Sequence, residues 1–232
     1  MIEENALLTV RRGFPRPSPK LVAAFAKALT GNLADCMGGR GAMDRGIRPI
    51  IDVPRGYGRF CGVAVTCATG PGDNLAIFAA IDAAKAGDVI VVAADGFTGT
   101  AVVGDLVLGM AANRGVKAMV IDGMARDVEG MLKVGIPAFA RGITPASCDR
   151  NGPGTVGLPV MAGGLRVESG DVVVGDYDGV VVVPQAQLAA VAAKLKTVLK
   201  LEAELERKVK AGLDVPDFYK ALVKKGAVRE VK

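Results

Sequence analysis

Short apolar runs alternate with amphipathic segments through the first 142 residues of the chain. The runs are rich in Val, Ile and Ala and bounded by Gly or Asp, which is typical of buried strands. We predict strands over 59–70, 88–95, 116–122 and 136–142. The intervening segments predict helices over 18–31 (Ser18 as N-cap, Gly31 closing), 74–87 and 126–135, and the segment 100–115 holds a further helix. This alternation predicts an α/β core.

The pattern changes after residue 156. Short Val-rich runs separated by Gly and Asp turns predict a second, antiparallel sheet layer. Beyond Pro184, apolar residues from Leu188 to Val209 recur near helical spacing and predict a long amphipathic helix that stops around Gly212. We expect its apolar stripe to pack on a neighbouring subunit. The predicted organisation is a single domain over 1–185 and a helical extension over 186–232.

The amino-acid composition excludes several kinds of catalytic and metal site. The chain has no histidine, which excludes Ser-His-Asp and Cys-His catalysis and His-ligated zinc. Any metal is expected to be a hard cation such as Mg²⁺ or Mn²⁺, held by carboxylate and water. The four cysteines form no CxxC pattern, so reduced thiols in a cytoplasmic protein are expected. We also expect no signal peptide and no transmembrane segment.

The net charge of +5 does not predict nucleic-acid binding once its position is considered. Residues 1–193 carry 18 basic and 18 acidic residues, whereas residues 194–232 carry 11 basic and 6 acidic residues. The excess therefore lies in a mixed-sign helical tail, which favours a solvated face or a subunit contact.

Two short segments carry candidate chemistry. Gly104-Asp105 immediately precedes an apolar helix, where free backbone amides could bind a carboxylate or phosphate, or where Asp105 could simply cap the helix. Arg126-Asp127 follows the strand 116–122 and a turn, DGMA. Arg126 could bind a carboxylate or ketone oxygen there through two hydrogen bonds, and Asp127 could bind a metal. The alternative is an N-cap beside a surface arginine.

Other glycine-rich segments do not predict nucleotide binding. GPG at 152–154 is followed by no Gly-Lys-Ser/Thr, and no GxGxxG opens a helix after a strand. The segment GPGDN at 70–74 is interpreted as a turn and a helix start.

Taken in order, the segments PGDN, GDVIVVAADG, ANRGVKAMVIDGMARDV, PAFARG, GPG and GDVVVGDYDGVVVVP resemble a known family. It is the family of class II, pyruvate-forming aldolases acting on 4-hydroxy-4-methyl-2-oxoglutarate and 4-carboxy-4-hydroxy-2-oxoadipate, which also includes the regulator of ribonuclease activity A. The resemblance covers roughly residues 20–185. It implies a layered α/β/β fold similar to swivelling phosphohistidine domains, with a C-terminal helical extension, assembled as trimers or hexamers.

The family signature is an Asp, twenty intervening residues, Arg-Asp, and an acid three positions further on. Asp105, Arg126 and Asp127 match it, whereas Gly130 stands in place of the acid. The resemblance implies that the backbone of Gly104–Val107, including Leu106, and the side chain of Arg126 bind the pyruvyl group. It further implies that Asp127 anchors Mg²⁺ or Mn²⁺.

By the same resemblance, Asp105 and an acid from a neighbouring subunit's C-terminal helix orient a water that relays protons. Glu202 is our choice among the three glutamates of LEAELERK. The expected activity is retro-aldol cleavage of a 4-hydroxy-2-oxoacid to pyruvate, with oxaloacetate decarboxylation as a side activity. The alternative is a non-catalytic regulator that binds another protein. The distal half of the substrate would be contacted by Arg40, Arg150 or the tail.

Overall fold

The computed structural model describes residues 6–50 and 58–231. Its strands in chain order are β1 (Leu8–Val10), β2 (Arg48–Pro49), β3 (Phe60–Thr69), β4 (Asp88–Ala93), β5 (Ala101–Val103), β6 (Ala118–Ala125), β7 (Ala138–Ile143), β8 (Gly154–Val156), β9 (Val160–Ala162), β10 (Leu165–Val167), β11 (Val172–Asp176) and β12 (Gly179–Val183). Its α-helices are α1 (Pro19–Ala23), α2 (Thr30–Cys36), α3 (Leu75–Ala83), α4 (Asp105–Asn113), α5 (Val128–Val134), α6 (Leu188–Lys210) and α7 (Asp217–Lys224).

The main sheet is built around four parallel strands in the order β3, β4, β6 and β7, as the strand–helix alternation predicts. All six residues of β4 are buried, and they alternate between two cores. Ile90 and Val92 pack with the helices α3 to α5 on one face, while Val89 and Val91 pack on the other face with β9, β10 and β12. Each such side chain contributes about 1.5–3 kcal/mol when fully buried. The chain therefore has a mixed α/β fold.

The strands after residue 153 only partly match the second layer that the sequence predicted. Their antiparallel pairing is present: β11 pairs with both β3 and β12, and β8 pairs with β3. These strands are hydrogen-bonded into the main sheet, and β9 and β10 form a separate two-stranded sheet. The prediction of a second, antiparallel layer is therefore confirmed only in part, because sequence periodicity does not specify which strand accepts a partner.

Two local predictions also need correction. The helix expected over 18–31 is broken: α1 begins after the Ser18 cap, whose Oγ accepts from the Leu21 amide at 3.3 Å, but it ends at Ala23. Gly31 lies inside α2 instead of closing the first helix. The DGMA segment at 122–125 is not a turn but the end of β6, because Met124 and Ala125 pair with both β5 and β7.

The described chain forms two compact units, Met1–Leu195 and Lys196–Lys232, and the boundary falls within α6. The second unit contains the end of α6 and the short helix α7. Across residues 6–50 and 58–231, no helix is long and apolar enough to cross a membrane.

Candidate functional site

A cavity of about 230 Å³ lies where β5 and β6 end and α4 begins. Because β5 and β6 pair in parallel, Gly104-Asp105 and Arg126-Asp127 leave the sheet at the same edge. The Arg126 amide donates to the Val103 carbonyl at 3.0 Å and holds the two segments side by side. The lining residues are Asn74, Ala101, Val102, Gly104, Asp105, Leu106, Val107, Arg126, Asp127, Ser147, Cys148 and Arg150.

The N-terminus of α4 presents backbone donors to this cavity. Gly104 is the N-cap residue and, having no side chain, makes no capping hydrogen bond. Leu108 is the first residue whose amide donates back to the cap, at 3.0 Å from the Gly104 carbonyl. The Asp105 carboxylate accepts from the Leu106 amide at 2.7 Å. The amides of Asp105 and Val107 precede Leu108, the first residue whose amide donates within the helix, so they are available to an anion.

Arg126 lies beside the N-cap of α4 and is held there by two side chains. Its Nη1 donates to Ser147 Oγ at 2.7 Å, and its Nε lies 3.2 Å from Asp127 Oδ2. About a third of the Arg126 side chain is exposed, at 35%. The guanidinium is therefore oriented by protein contacts while part of it remains accessible to a ligand.

Asp127 adopts a left-handed backbone conformation, with φ 58° and ψ 43°. It occupies the N-cap position of α5, yet its side chain makes no capping hydrogen bond, so its carboxylate does not serve as the cap of this helix. A non-glycine residue in this region costs about 1 kcal/mol, and such strain is concentrated at functional sites. The conformation directs the carboxylate toward Gly104, where a Cβ atom would contact Asp127 Oδ2.

The loops before α3 and after β7 supply Arg150, which we considered for the distal half of the substrate, and three site residues that we did not predict. The Asp73 carboxylate accepts from the backbone amides of Asn151 and Gly152, at 2.5 and 3.0 Å. The backbone amide of Asn74 donates to the Asp149 carbonyl at 3.1 Å. These bonds tie GPGDN to the 147–154 segment and bring Asn74, Ser147, Cys148 and Arg150 to the cavity. The only sequence signal was the pair of polar, glycine-rich loops.

Arg150 and Cys148 set the charge of this wall. The Arg150 guanidinium carbon lies 6.0 Å from the centre of the Phe78 ring, within the range of a cation–π contact. Desolvation by burial raises the pKa of Cys148, and the nearby charges of Arg150 and Arg126 offset this only in part. Cys148 is therefore a neutral thiol near pH 7, and the wall is cationic. Arg40, the other arginine considered for distal contacts, lines a different cavity with Met37.

Glu202 lies on the part of α6 that belongs to the second unit, whereas the cavity residues all belong to the first. Its assignment as a proton-relay residue therefore stays a prediction.

The donor set fits a hard cation bound with few protein ligands. Among residues 6–50 and 58–231, no group of three or more His, Cys, Asp or Glu side chains could hold a metal. Mg²⁺ is commonly held by one or two carboxylates with waters completing its shell. Asp127 offers such a carboxylate, 44% exposed, in the space that the missing side chain of Gly104 leaves open.

Comparison with known proteins agrees with this fold. The model of the RraA-like family, described as Aldolase/RraA, matches residues 30–182. A Halalkalibacterium halodurans protein named "Putative 4-hydroxy-4-methyl-2-oxoglutarate aldolase" is 35% identical over 190 residues, which is 82% of this chain and 87% of the relative.

Two solved structures share the fold. Streptomyces coelicolor RraAS2, described as an unusual member of the RNase ES inhibitor RraA protein family, has a TM-score of 0.73 at 26% identity, covering 83% of this chain and all of that one. The Thermus RNA-processing inhibitor RraA has a TM-score of 0.62 at 27% identity, covering 68% of this chain and 94% of that one.

The parallel strands, with a charged cavity at their carboxyl ends, place the chain in the class of mixed α/β proteins. Within that class, the chain belongs to the RraA-like family.

Proposed function

We propose that the protein is a divalent-metal-dependent aldolase that cleaves 4-hydroxy-4-methyl-2-oxoglutarate, or a related 4-hydroxy-2-oxoacid, to pyruvate and a second 2-oxoacid. The observation that carries the proposal is the meeting of three features in one cavity: the α4 amides, the Arg126 guanidinium and the Asp127 carboxylate. Together they provide an anion site, an electrophile for a ketone oxygen and a cation ligand. The aldolase name of the 35% identical relative supports the same activity.

In this proposal, the substrate carboxylate binds the free amides of Asp105 and Val107, and Arg126 donates to the 2-oxo oxygen. The amides hold the substrate in place, and the Arg126 contact stabilises the charge that develops on the 2-oxo oxygen, which is where preorganised donors lower a barrier most. A Mg²⁺ or Mn²⁺ ion held by Asp127 would supply further stabilisation of that charge.

The cleavage itself moves one proton and one electron pair. The 4-hydroxyl proton leaves to a water positioned by Asp105, the C3–C4 bond breaks, and C4 becomes the carbonyl of the second 2-oxoacid. The electron pair of the broken bond forms the enolate of pyruvate, which then takes up a proton at C3. Oxaloacetate decarboxylation passes through the same enolate and is proposed as a side activity.

Arg150 is the candidate for the distal half of the substrate. Its guanidinium lines the same cavity as Arg126, and it is oriented by Phe78. The distal half of 4-hydroxy-4-methyl-2-oxoglutarate carries a carboxylate, which a second arginine can bind. The proposal also includes Glu202 of a neighbouring copy, which would complete the site in a trimer or hexamer. It places the protein in the cytoplasm, with no nucleic-acid or membrane partner.

A coupled assay tests the proposal. The purified protein, treated with EDTA and then resupplied with Mg²⁺ or Mn²⁺, should release pyruvate from 4-hydroxy-4-methyl-2-oxoglutarate only when the metal is present. The absence of metal-dependent pyruvate release from any 4-hydroxy-2-oxoacid tested would overturn it.

The second candidate is a non-catalytic regulator of an RNA-processing enzyme. It is favoured by the structural similarity to Thermus RraA and Streptomyces RraAS2, both described as inhibitors. An RNA-cleavage assay with ribonuclease E separates the two functions, because a regulator should slow cleavage at a fixed stoichiometry without releasing pyruvate.

A further inference from the structure

Asn74 has one buried polar atom that the fold leaves without a partner. The residue is 4% exposed and lines the cavity at the start of α3. Its Nδ2 donates to the Val102 carbonyl at 3.2 Å, and because a carbonyl can only accept, this bond fixes which end of the amide is nitrogen. Within the described ranges 6–50 and 58–231, Oδ1 is buried and has no hydrogen-bond partner.

The position of this amide connects it to the proposed reaction. Val102 lies on β5, three residues before Asp105, and the next residue on the strand, Val103, accepts the Arg126 amide. The Asn74 side chain is thus anchored to the strand that leads into the α4 amides. A buried amide oxygen left without a donor costs about 1–3 kcal/mol, so it requires an explanation in a native fold.

Within the described residues, no protein donor bonds to Asn74 Oδ1. Arg126 Nη1 donates to Ser147 and its Nε faces Asp127. The donor for Oδ1 must then come from a bound molecule. The carboxylate and ketone of a 2-oxoacid only accept hydrogen bonds, and the 4-hydroxyl proton must leave toward a base. A water is therefore the donor that the proposed reaction makes available at this wall.

We propose that Asn74 Oδ1, together with the Asp105 carboxylate, positions the water that removes the 4-hydroxyl proton during cleavage. This inference rests on the proposed function. With one O–H directed to Asn74 and the other to Asp105, the lone pair of the water faces the substrate. As the C3–C4 bond breaks, the water accepts the hydroxyl proton and passes one of its own to Asp105, so protons and charge balance. Asn74 is a positioning residue in this scheme.

Retro-aldol cleavage and oxaloacetate decarboxylation pass through the same enolate, and comparing their rates distinguishes a water-positioning role of Asn74 from a structural one. Cleavage of the 4-hydroxy substrate requires removal of the hydroxyl proton, whereas loss of CO₂ from oxaloacetate does not. Asn74→Leu should therefore lower kcat for retro-aldol cleavage about tenfold or more, with KM and oxaloacetate decarboxylation changed by about twofold or less.

Asn32→Ala provides a matched control. Asn32 is also a buried asparagine, 6% exposed on α2, and it does not line this cavity. Its replacement should affect both reactions only in proportion to the folded fraction, measured by thermal unfolding.

Each outcome has a defined meaning. If the unaltered protein releases no pyruvate from either substrate, both the proposed function and this inference are overturned. If it is active and Asn74→Leu slows both reactions equally, or raises KM with kcat preserved, the function stands and the role of Asn74 is refuted.

Discussion

The Asp105 side chain packs directly against the α-carbon of Gly130. A Cβ atom at position 130 would lie 2.6 Å from Asp105 Cβ and 2.7 Å from its Cγ, and would also contact Oδ2. Gly130 lies inside α5, where glycine costs about 1 kcal/mol relative to alanine. With Asp105 in this position, there is no room at position 130 for the acidic side chain that the family resemblance led us to expect.

We predict that Gly130→Ala displaces Asp105 and lowers kcat for pyruvate release about tenfold, a loss typical of a misplaced acid–base group. Gly109→Ala in α4 is the control, because a Cβ there meets only Val134 Cγ2, at 3.8 Å. It should raise the free energy of unfolding by about 0.5–1 kcal/mol without loss of activity. Steady-state rates and urea unfolding measure both effects. Equal activity of the two variants would contradict the role of Gly130.

Arg126 should depend on Ser147 for its orientation. Ser147→Ala removes the 2.7 Å hydrogen bond to Nη1, and we expect kcat/KM to fall about five- to tenfold, equivalent to about 1–1.4 kcal/mol. The control is Ser18→Ala, which removes the cap of α1 and should cost about 1 kcal/mol of stability with activity unchanged. A Ser147→Ala enzyme with unaltered kcat/KM would show that Arg126 is held by other contacts.

Metal binding should depend on the negative charge of the Asp127 side chain and not on its left-handed backbone conformation. Asparagine tolerates the left-handed conformation, so Asp127→Asn preserves the fold while removing the anionic ligand. We expect Mn²⁺ affinity, measured by titration calorimetry, to fall about tenfold or more. Asp95→Asn is the matched control, because Asp95 has φ 54° and does not line the cavity. Undiminished Mn²⁺ binding by Asp127→Asn would place the metal elsewhere.

Arg150 should select substrates with a distal carboxylate. Arg150→Met should lower kcat/KM for 4-hydroxy-4-methyl-2-oxoglutarate about 10- to 100-fold, since hydrogen bonds to charged groups contribute about 1.5–3 kcal/mol. The same variant should cleave 4-hydroxy-2-oxopentanoate, which lacks that carboxylate, at an almost unchanged rate. Arg40→Met, in the other cavity, serves as the control. An equal loss on both substrates would assign Arg150 a role unrelated to the distal group.

Local sequence patterns predicted the strand–helix alternation of the α/β core, because that alternation depends on neighbouring residues. The spacing of the family signature predicted the meeting of Asp105 with Arg126 and Asp127. Neither predicted Asn74 as a site residue, because its placement depends on a bond from a loop to Val102. The pairing of β8 and β11 with β3 was missed for the same reason, because it depends on contacts between distant segments.

The most direct test of the proposed site is exchange of the pyruvate methyl protons with solvent. If the α4 amides, Arg126 and Asp127 stabilise the enolate, the protein incubated with pyruvate and Mg²⁺ in D₂O should incorporate deuterium into the methyl group, as followed by proton NMR. EDTA, or the Asp127→Asn or Arg126→Ala substitution, should abolish the exchange. Methyl exchange no faster than in protein-free buffer, with metal present and the protein folded, would contradict enolate formation at this site.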